Sequence, residues 1–268
     1  MDRLSLMIGN GLVGNDLGAA GLELCLPPAV IRFDADCFIA LTGAECRARL
    51  DGVALDSGCS ATAKSGMTLE FAAAASGARA YLCVAGGIDV PLVLGSRSTD
   101  LHTAMGGFQG RMIRRGDVLN ILPSLPRKHM ASRTAQPLSA GPIRVMAGPE
   151  FEEFDPQSRK AFFESRWRVT PQSNRMGYRL EGPTLARMAR YELKSHAVFC
   201  GLIQVPPGGA PIALMADAHA TGGYPRFAMV IAADHGRLAQ VAPGGSIQFE
   251  LCTRKVAVQE LRSNLHAH

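Results

Sequence analysis

The chain has 268 residues, enough for one large domain or two of ordinary size. With 47% apolar residues it can bury a sizeable core, which excludes wholesale disorder, while a charged fraction of 19% beside 29 Gly and 16 Pro favours tight turns over long surface helices. The net charge of +5 comes from 28 dispersed Lys and Arg with no run of five or more, which argues against a nucleic-acid or membrane-surface role and suits a small acidic or phosphorylated ligand.

Seven cysteines, at 25, 37, 46, 59, 83, 200 and 252, form no C-x-x-C pair and sit mostly in apolar runs. That pattern predicts buried thiols in a reducing compartment, hence a cytoplasmic protein. The N-terminus lacks a basic segment followed by a long apolar one, and the apolar stretches are too short and Gly-broken to span a bilayer.

In chain order, residues 4–13 predict a short helix running into a Gly-rich turn. From Leu22 the text is strand-like: LELCL, AVIRF and CFIALTG, then Gly66–Phe71 and Ala78–Val84, each bounded by Pro, Asp or Gly. Gly116-Asp117 predicts a turn before a strand at Val118–Leu122. Residues 129–142, within the polar, Pro-punctuated stretch 123–142, read as a linker between a first lobe at 1–128 and a second at 143–268. The second lobe opens with a strand at Ile143–Met146. Asp155-Pro156 then reads as an N-cap followed by Pro at the first helical position. Strands are expected at Trp167–Val169 and Gly177–Leu180, a helix at Leu185–Leu193 with Arg187 and Arg190, and a hairpin of Gly201–Val205 with Pro211–Met215 around Pro206–Ala210. Phe227–Ala232 and Ser246–Leu251 complete a mainly-β chain with a few short helices, arranged as two β-rich lobes whose closed or half-closed barrels hide their edges.

The sequence Gly9-Asn10-Gly11-Leu12-Val13-Gly14 satisfies G-x-G-x-x-G, with Asp34 about 20 residues on. A dinucleotide site needs a full helix after the glycines and βαβ alternation, and neither follows. The segment Gly86–Arg111 is richer. Gly86 and Gly87 permit positive φ and close approach of backbone to a ligand. Ser96, Arg97, Ser98, Thr99 and Asp100 then place three hydroxyls, a guanidinium and a carboxylate within five residues. Ser98 or Thr99 could cap a short helix from Asp100 and leave N–H groups for an anion, with Arg97 adding bidentate recognition; a polar loop that binds nothing is equally consistent with the residues.

Two further clusters stand in the second half. Asn174, Arg175, Tyr178 and Arg179 form a polar turn entering a strand with two arginines on one face, and exposed strand arginines of this kind are explained by structure alone more readily than by a ligand. Asp217, His219, Thr221, Gly222, Gly223 and Tyr224 suit hydrogen bonding to a small polar molecule, with Asp217 as acceptor or base; a loop whose glycines merely turn the chain is the alternative. No H-x-x-x-H, H-E-x-x-H, G-x-S-x-G or Walker motif occurs, so no metal site and no serine hydrolase is expected, and any ATP must be held by an unconventional loop.

On the strength of Tyr81–Arg111 (YLCVAGGIDVPLVLGSRSTDLHTAMGGFQGR), Asn174–Gly182 (NRMGYRLEG), Gly201–Pro211 (GLIQVPPGGAP) and Ala216–Pro225 (ADAHATGGYP), the chain resembles the family of 5-oxoprolinase C-type subunits. The family is also called urea amidolyase-related, allophanate hydrolase subunit 2 or biotin-dependent carboxyltransferase. The resemblance implies two cyclophilin-like β-barrel lobes and two partners, the B-type and A-type subunits of the same enzyme. It implies ATP-dependent opening of the lactam of 5-oxo-L-proline to L-glutamate, with Mg2+ entering through the complex. Two alternatives come with it: a biotin-dependent carboxyltransferase component acting on urea or a similar small amide, and a non-catalytic regulatory partner of the B-type protein. The site residues implied are Asp217 as the catalytic group, with Gly86, Gly87, Ser96, Arg97, Ser98, Thr99, Asp100, Asn174, Arg175, Tyr178, Thr221, Gly222, Gly223 and Tyr224 as substrate or phosphate contacts. Two departures stand out. Family members carry a strand and a Q-D-x-G-R-type motif before the segment matching Met1-Asp2, so the first lobe is expected to be N-terminally truncated. His219-Ala220 stand where Gln-Thr is usual.

Overall fold

The computed structural model describes residues 1–25, 28–124, 141–189 and 191–266. The chain divides into two compact units, Asp2–Pro137 and Leu138–His268. Of the expected linker, only Gly141 and Pro142 lie among the described residues, and Arg190 lies outside them.

The first unit holds two four-stranded antiparallel sheets around one core. One runs Leu22–Cys25, Ser76–Val84, Cys37–Glu45, Cys59–Ala63 across its width; the other runs Ala29–Arg32, Thr68–Phe71, Ala48–Leu50, Val53–Leu55. The two central strands of the first sheet are covered on both faces, which is why CFIALTG reads as a continuous apolar run. Ile39, Leu41, Leu82 and Val84 meet Leu50, Leu55, Leu69 and Phe71 of the other sheet. Phe38, Ala40 and Cys83 instead meet Leu6 and Leu12 of helix Arg3–Leu12 and its C-cap Val13. A bulge at Gly43, with φ of +85° and the Arg79 carbonyl 2.3 Å from where a Cβ would stand, lets Ala44 rejoin the inter-sheet core.

The helix begins at Asp2, whose carboxylate accepts from the Ser5 N–H at 3.1 Å. It swallows most of the G-x-G-x-x-G text, so these glycines make no phosphate loop. Gly9 provides contact with the sheet, since a Cβ there would stand 2.7 Å from the Cys83 Sγ. All seven cysteines are free thiols; Cys46 and Cys83 are buried while Cys25 is exposed. Burial, with help from Asp36, pushes the Cys37 thiol up to about 11, and burial alone pushes Cys83 up to about 12, so neither is poised as a nucleophile.

The second unit is an eight-stranded sheet, ordered Ser246–Ile247, Trp167–Val169, Gly177–Glu181, Ile212–Leu214, Leu202–Gln204, Arg226–Val230, Ile143–Ala147, Phe249–Leu251. Its first and last members are neighbours in the chain, separated by Gln248 alone, so the sheet curls back on itself as a barrel. Inside lie Phe154, Phe162, Trp167, Phe227 and Phe249. Helix Pro156–Glu164, capped as expected by Asp155, sends Phe162 inward, where its ring stacks on Phe249 at 4.7 Å. The mainly-β, two-lobed expectation therefore holds.

Several local expectations differ. Leu185–Leu193 forms no helix among its described residues, because Arg187 bridges Phe154 and ties to Glu153 at 2.6 Å, drawing the chain out along the barrel. Val118–Leu122 contributes one bridge, Ile121 to Ile88, rather than a strand. A helix at Arg254–His266 was not expected from the sequence. No helix among the described residues is long and apolar enough to cross a membrane.

Candidate functional site

In the first lobe, strand Ser76–Val84 delivers the chain to Gly86 and Gly87, with φ of +91° and +80°. A Cβ on Gly86 would lie 2.0 Å from the Leu122 carbonyl oxygen. The close approach that glycine permits here is therefore to the protein's own backbone. The Gly86 N–H donates to Asn15 Oδ1 at 2.8 Å, and Asn15 in turn donates to Asn10 Oδ1 at 3.0 Å and to the Val84 carbonyl at 2.8 Å. Asn15, steadied by Asn10 of the abandoned dinucleotide motif, thus holds this corner in place.

Val93 and Ser96 exchange backbone hydrogen bonds of 2.8 and 2.9 Å around Leu94 and Gly95, both at positive φ, which makes a type I′ turn. Ser96 and Ser98 are exposed and Arg97 is half-buried. The Arg97 guanidinium donates to the Val90 carbonyl, and among the described residues no carboxylate pairs with it. The helix expected from Asp100 is absent. Thr99–Asp100 pairs instead with Met105–Gly106, and Asp100 itself caps the intervening turn, accepting from Thr103 Oγ1 at 2.7 Å and the His102 N–H at 2.9 Å. Those bonds, Thr103's hydroxyl foremost, hold its carboxyl below the ordinary range. Thr99 is roofed by Gly107, where a Cβ would fall 1.8 Å from its hydroxyl.

Among the described residues, three of the five non-glycine residues at positive φ, Leu94, Ala104 and Gln109, lie within this one loop. Strained backbone concentrated in one place marks a geometry that its surroundings enforce. The far end is fixed by Arg111, which grips Asp117 through two bonds of 2.7 and 2.9 Å. Arg111's hydrogen bonds, followed by the Arg114 N–H, bring the Asp117 carboxyl down to about 2. Sequence reading missed this clamp, although Arg111 and Asp117 flank a Gly turn.

In the second lobe, two clusters separate in sequence come together. Gly177 pairs with Leu214 across antiparallel strands, so the residues just outside the pair, Arg175 and Asp217, face one another. Arg175 Nε donates to Asp217 Oδ2 at 2.7 Å and a terminal nitrogen donates to Oδ1 at 3.0 Å, while the Asp217 N–H donates to the Arg175 carbonyl at 2.9 Å. Asp217 is thus a gripped carboxylate with part of its lone-pair capacity used. Arg179 does not share this pairing; it lies on the exposed face of strand Gly177–Glu181. Asn174 is exposed at the turn, its side chain accepting from the Met176 N–H at 2.8 Å.

Tyr178 is a correction. It is 1% exposed within the barrel core, and its hydroxyl donates towards the Val241 carbonyl at 3.1 Å, so it is a packing residue out of reach of a ligand. Period-two alternation along 177–181 would have placed it inside. Thr221-Gly222 pairs with His196-Ala197, which leaves Thr221, Gly223 and Tyr224 exposed. Beneath them the buried Gln204 donates to the Tyr224 carbonyl at 3.2 Å, a support that sequence reading did not single out. Among the described residues no three of His, Cys, Asp or Glu converge to hold a metal.

Residues 1–251 match the family described as carboxyltransferase domain, subdomain A and B. The chain is 46% identical to the C-type subunit of Escherichia coli 5-oxoprolinase, over 97% of this chain and 84% of that one. It is 35% identical to the urea amidolyase of Saccharomyces cerevisiae, over 93% of this chain but 15% of that much longer protein. The crystal structure of the K. lactis urea amidolyase superimposes on all of this chain with a TM-score of 0.90 at 29% identity, 18% of that chain being covered. The chain therefore belongs to the carboxyltransferase-domain family that includes the C-type subunits of 5-oxoprolinase and the related region of urea amidolyase.

Proposed function

We propose that the chain is the C-type subunit of an ATP-dependent 5-oxoprolinase, acting with A-type and B-type partners to open 5-oxo-L-proline to L-glutamate. The observation that carries this reading is the 46% identity to the corresponding E. coli 5-oxoprolinase chain over nearly the whole sequence. ATP drives ring opening by phosphorylating the lactam oxygen. One water then adds to the activated carbon and breaks the ring C–N bond, and a second releases phosphate from the resulting γ-glutamyl phosphate. In the first lobe, Ser96, Arg97, Ser98 and Thr99 offer donors to a phosphate or carboxylate, on a loop held by Gly86 at one end and the Arg111–Asp117 clamp at the other. In the second, Asp217 accepts an amide hydrogen through its remaining lone pairs while steadying Arg175. Asn174, Thr221, Gly222, Gly223 and Tyr224 complete that lobe's hydrogen-bonding surface. The magnesium that accompanies ATP is assigned to no residue of this chain.

A partner is supported by the surface as well. Among the described residues, eight of the nineteen exposed large hydrophobics, among them Leu92, Leu94, Met112 and Val118, fall between residues 92 and 121, apolar surface of the kind a partner subunit would cover. A reducing cytoplasmic setting fits the free thiols.

The test is to co-purify the three subunits and follow labelled 5-oxoproline. Glutamate should appear only with ATP, and Arg97→Ala should cut its formation roughly tenfold or more, the scale of one charge-assisted bond. An assembled complex that forms no ATP-dependent glutamate overturns the reading. The similarity to urea amidolyase favours a second reading, carboxyl transfer from carboxybiotin to a small amide; it predicts urea-dependent loss of carboxybiotin without glutamate.

A further inference from the structure

The second lobe carries an open groove of about 1050 Å³ that none of the foregoing uses. Its floor is the outward face of strands Trp167–Val169 and Gly177–Glu181, and its wall is the turn Pro206–Gly209 with Pro211. Three charged side chains line it, Arg168, Arg179 and Glu181. Arg168 stands 3.9 Å from Glu181. Arg179 has no ion-pair partner among the described residues, so the groove carries one uncompensated positive charge.

Thr170 lies directly across the strand pair from Arg179, its N–H donating to the Arg179 carbonyl at 3.0 Å. Its hydroxyl is covered and has no hydrogen-bond partner among the described residues. A rotation about its Cα–Cβ bond therefore breaks no hydrogen bond among the described residues, and the hydroxyl stays available to a ligand held at Arg179. One guanidinium, one hydroxyl and proline walls make a donor pair at the foot of an apolar slot.

We propose that this groove binds a small monocarboxylate, its carboxylate on Arg179 and Thr170 and its body against Pro206 and Pro211. The charge count decides between anions. A single net positive charge matches a monocarboxylate, whereas Glu181 opposes a phosphate dianion. The inference is independent of the catalytic reading, because none of these residues was assigned a part in it.

The lobe contains its own reporter. Trp167 is the chain's single tryptophan, and its ring lies under Gly182 on the groove's lining, 2.6 Å from where a Cβ would stand. N-acetylglycinate titrated into the full chain should give a saturable change in tryptophan fluorescence, matched by calorimetry. Arg179→Gln should weaken that binding roughly tenfold or more, with Arg179→Lys intermediate, and Thr170→Val should weaken it by a smaller factor. N-methylacetamide, which lacks the carboxylate, should not compete. Absence of saturable binding by both methods overturns the proposal. So does equal affinity in Arg179→Gln, or inorganic phosphate binding more tightly than N-acetylglycinate. Because Arg179 is exposed, its variants keep the core intact, and circular dichroism verifies that.

Discussion

At the scale of single residues, the clearest lesson is how glycine is used. Gly86 and Gly95 both sit at φ near +80 to +90°, but a Cβ on Gly86 would strike the Leu122 carbonyl, whereas nothing stands within 4 Å of one on Gly95. Gly95→Ala suffers backbone strain alone; Gly86→Ala must also push away a main-chain segment. Gly86→Ala is expected to be the more destabilising by more than about 1 kcal/mol, measured as the difference in urea midpoint between the two variants. Equal midpoints would mean that residues 120–122 yield freely. Asp217 teaches a related point. A lone carboxylate in a loop reads from sequence as a base, yet its pairing with Arg175 depends on strand pairing that joins residues 42 apart in the chain, which no local pattern reveals.

At the scale of elements, most strands were legible where turn residues bracketed an apolar run, Val118–Leu122 being the exception. Cys37–Glu45, Gly177–Glu181 and the hairpin at Pro206–Gly209 stand close to where the sequence puts them, and so does helix Pro156–Glu164 with its Asp-Pro start. What escaped has physical causes. The strands Ala48–Leu50 and Val53–Leu55 are three residues each, too short for alternation to register. Arg254–His266 is a polar helix with a sparse apolar stripe, and its ties to the rest of the lobe are tertiary and polar, Glu260 with Arg144 at 3.0 Å and Asn264 with the Ala233 carbonyl at 3.4 Å. The helix expected at Leu185–Leu193 lost to the Arg187–Glu153 contact, another tertiary override. Within helix Pro156–Glu164, Phe162 touches Phe163, Trp167, Phe227 and Phe249. Phe162→Ala should cost about 3–5 kcal/mol in chemical unfolding, and a loss under 1 kcal/mol would show that the aromatic cluster repacks around the gap.

At the scale of the molecule, acid should be the second lobe's weakness. Asp234 is fully buried; burial raises its pKa, but bonds from Arg144, at 2.7 and 3.0 Å, and the charge of Arg237 outweigh burial and hold it low. Glu150 is likewise held low against burial by Arg226. A carboxylate depressed in the folded state stabilises fully above its unfolded pKa, about 3.9 for Asp, and loses that contribution as pH falls through the folded value. The unfolding temperature should therefore be flat from neutral pH to about pH 5 and fall steeply below about pH 4. Asp234→Asn should start lower at neutral pH and fall less steeply. A parallel fall in both proteins would assign acid sensitivity elsewhere.

The barrel's two outermost strands, Ser246–Ile247 and Phe249–Leu251, share one short stretch joined at Gln248. An ordinary open sheet can fray from either margin while the other stays zipped. Here the margins are the two halves of a single ribbon, so loosening one tugs on the other, across strand Trp167–Val169 on one side and Ile143–Ala147 on the other. The lobe consequently has no independent fraying end, and six residues act as the clasp that makes its opening an all-or-none event.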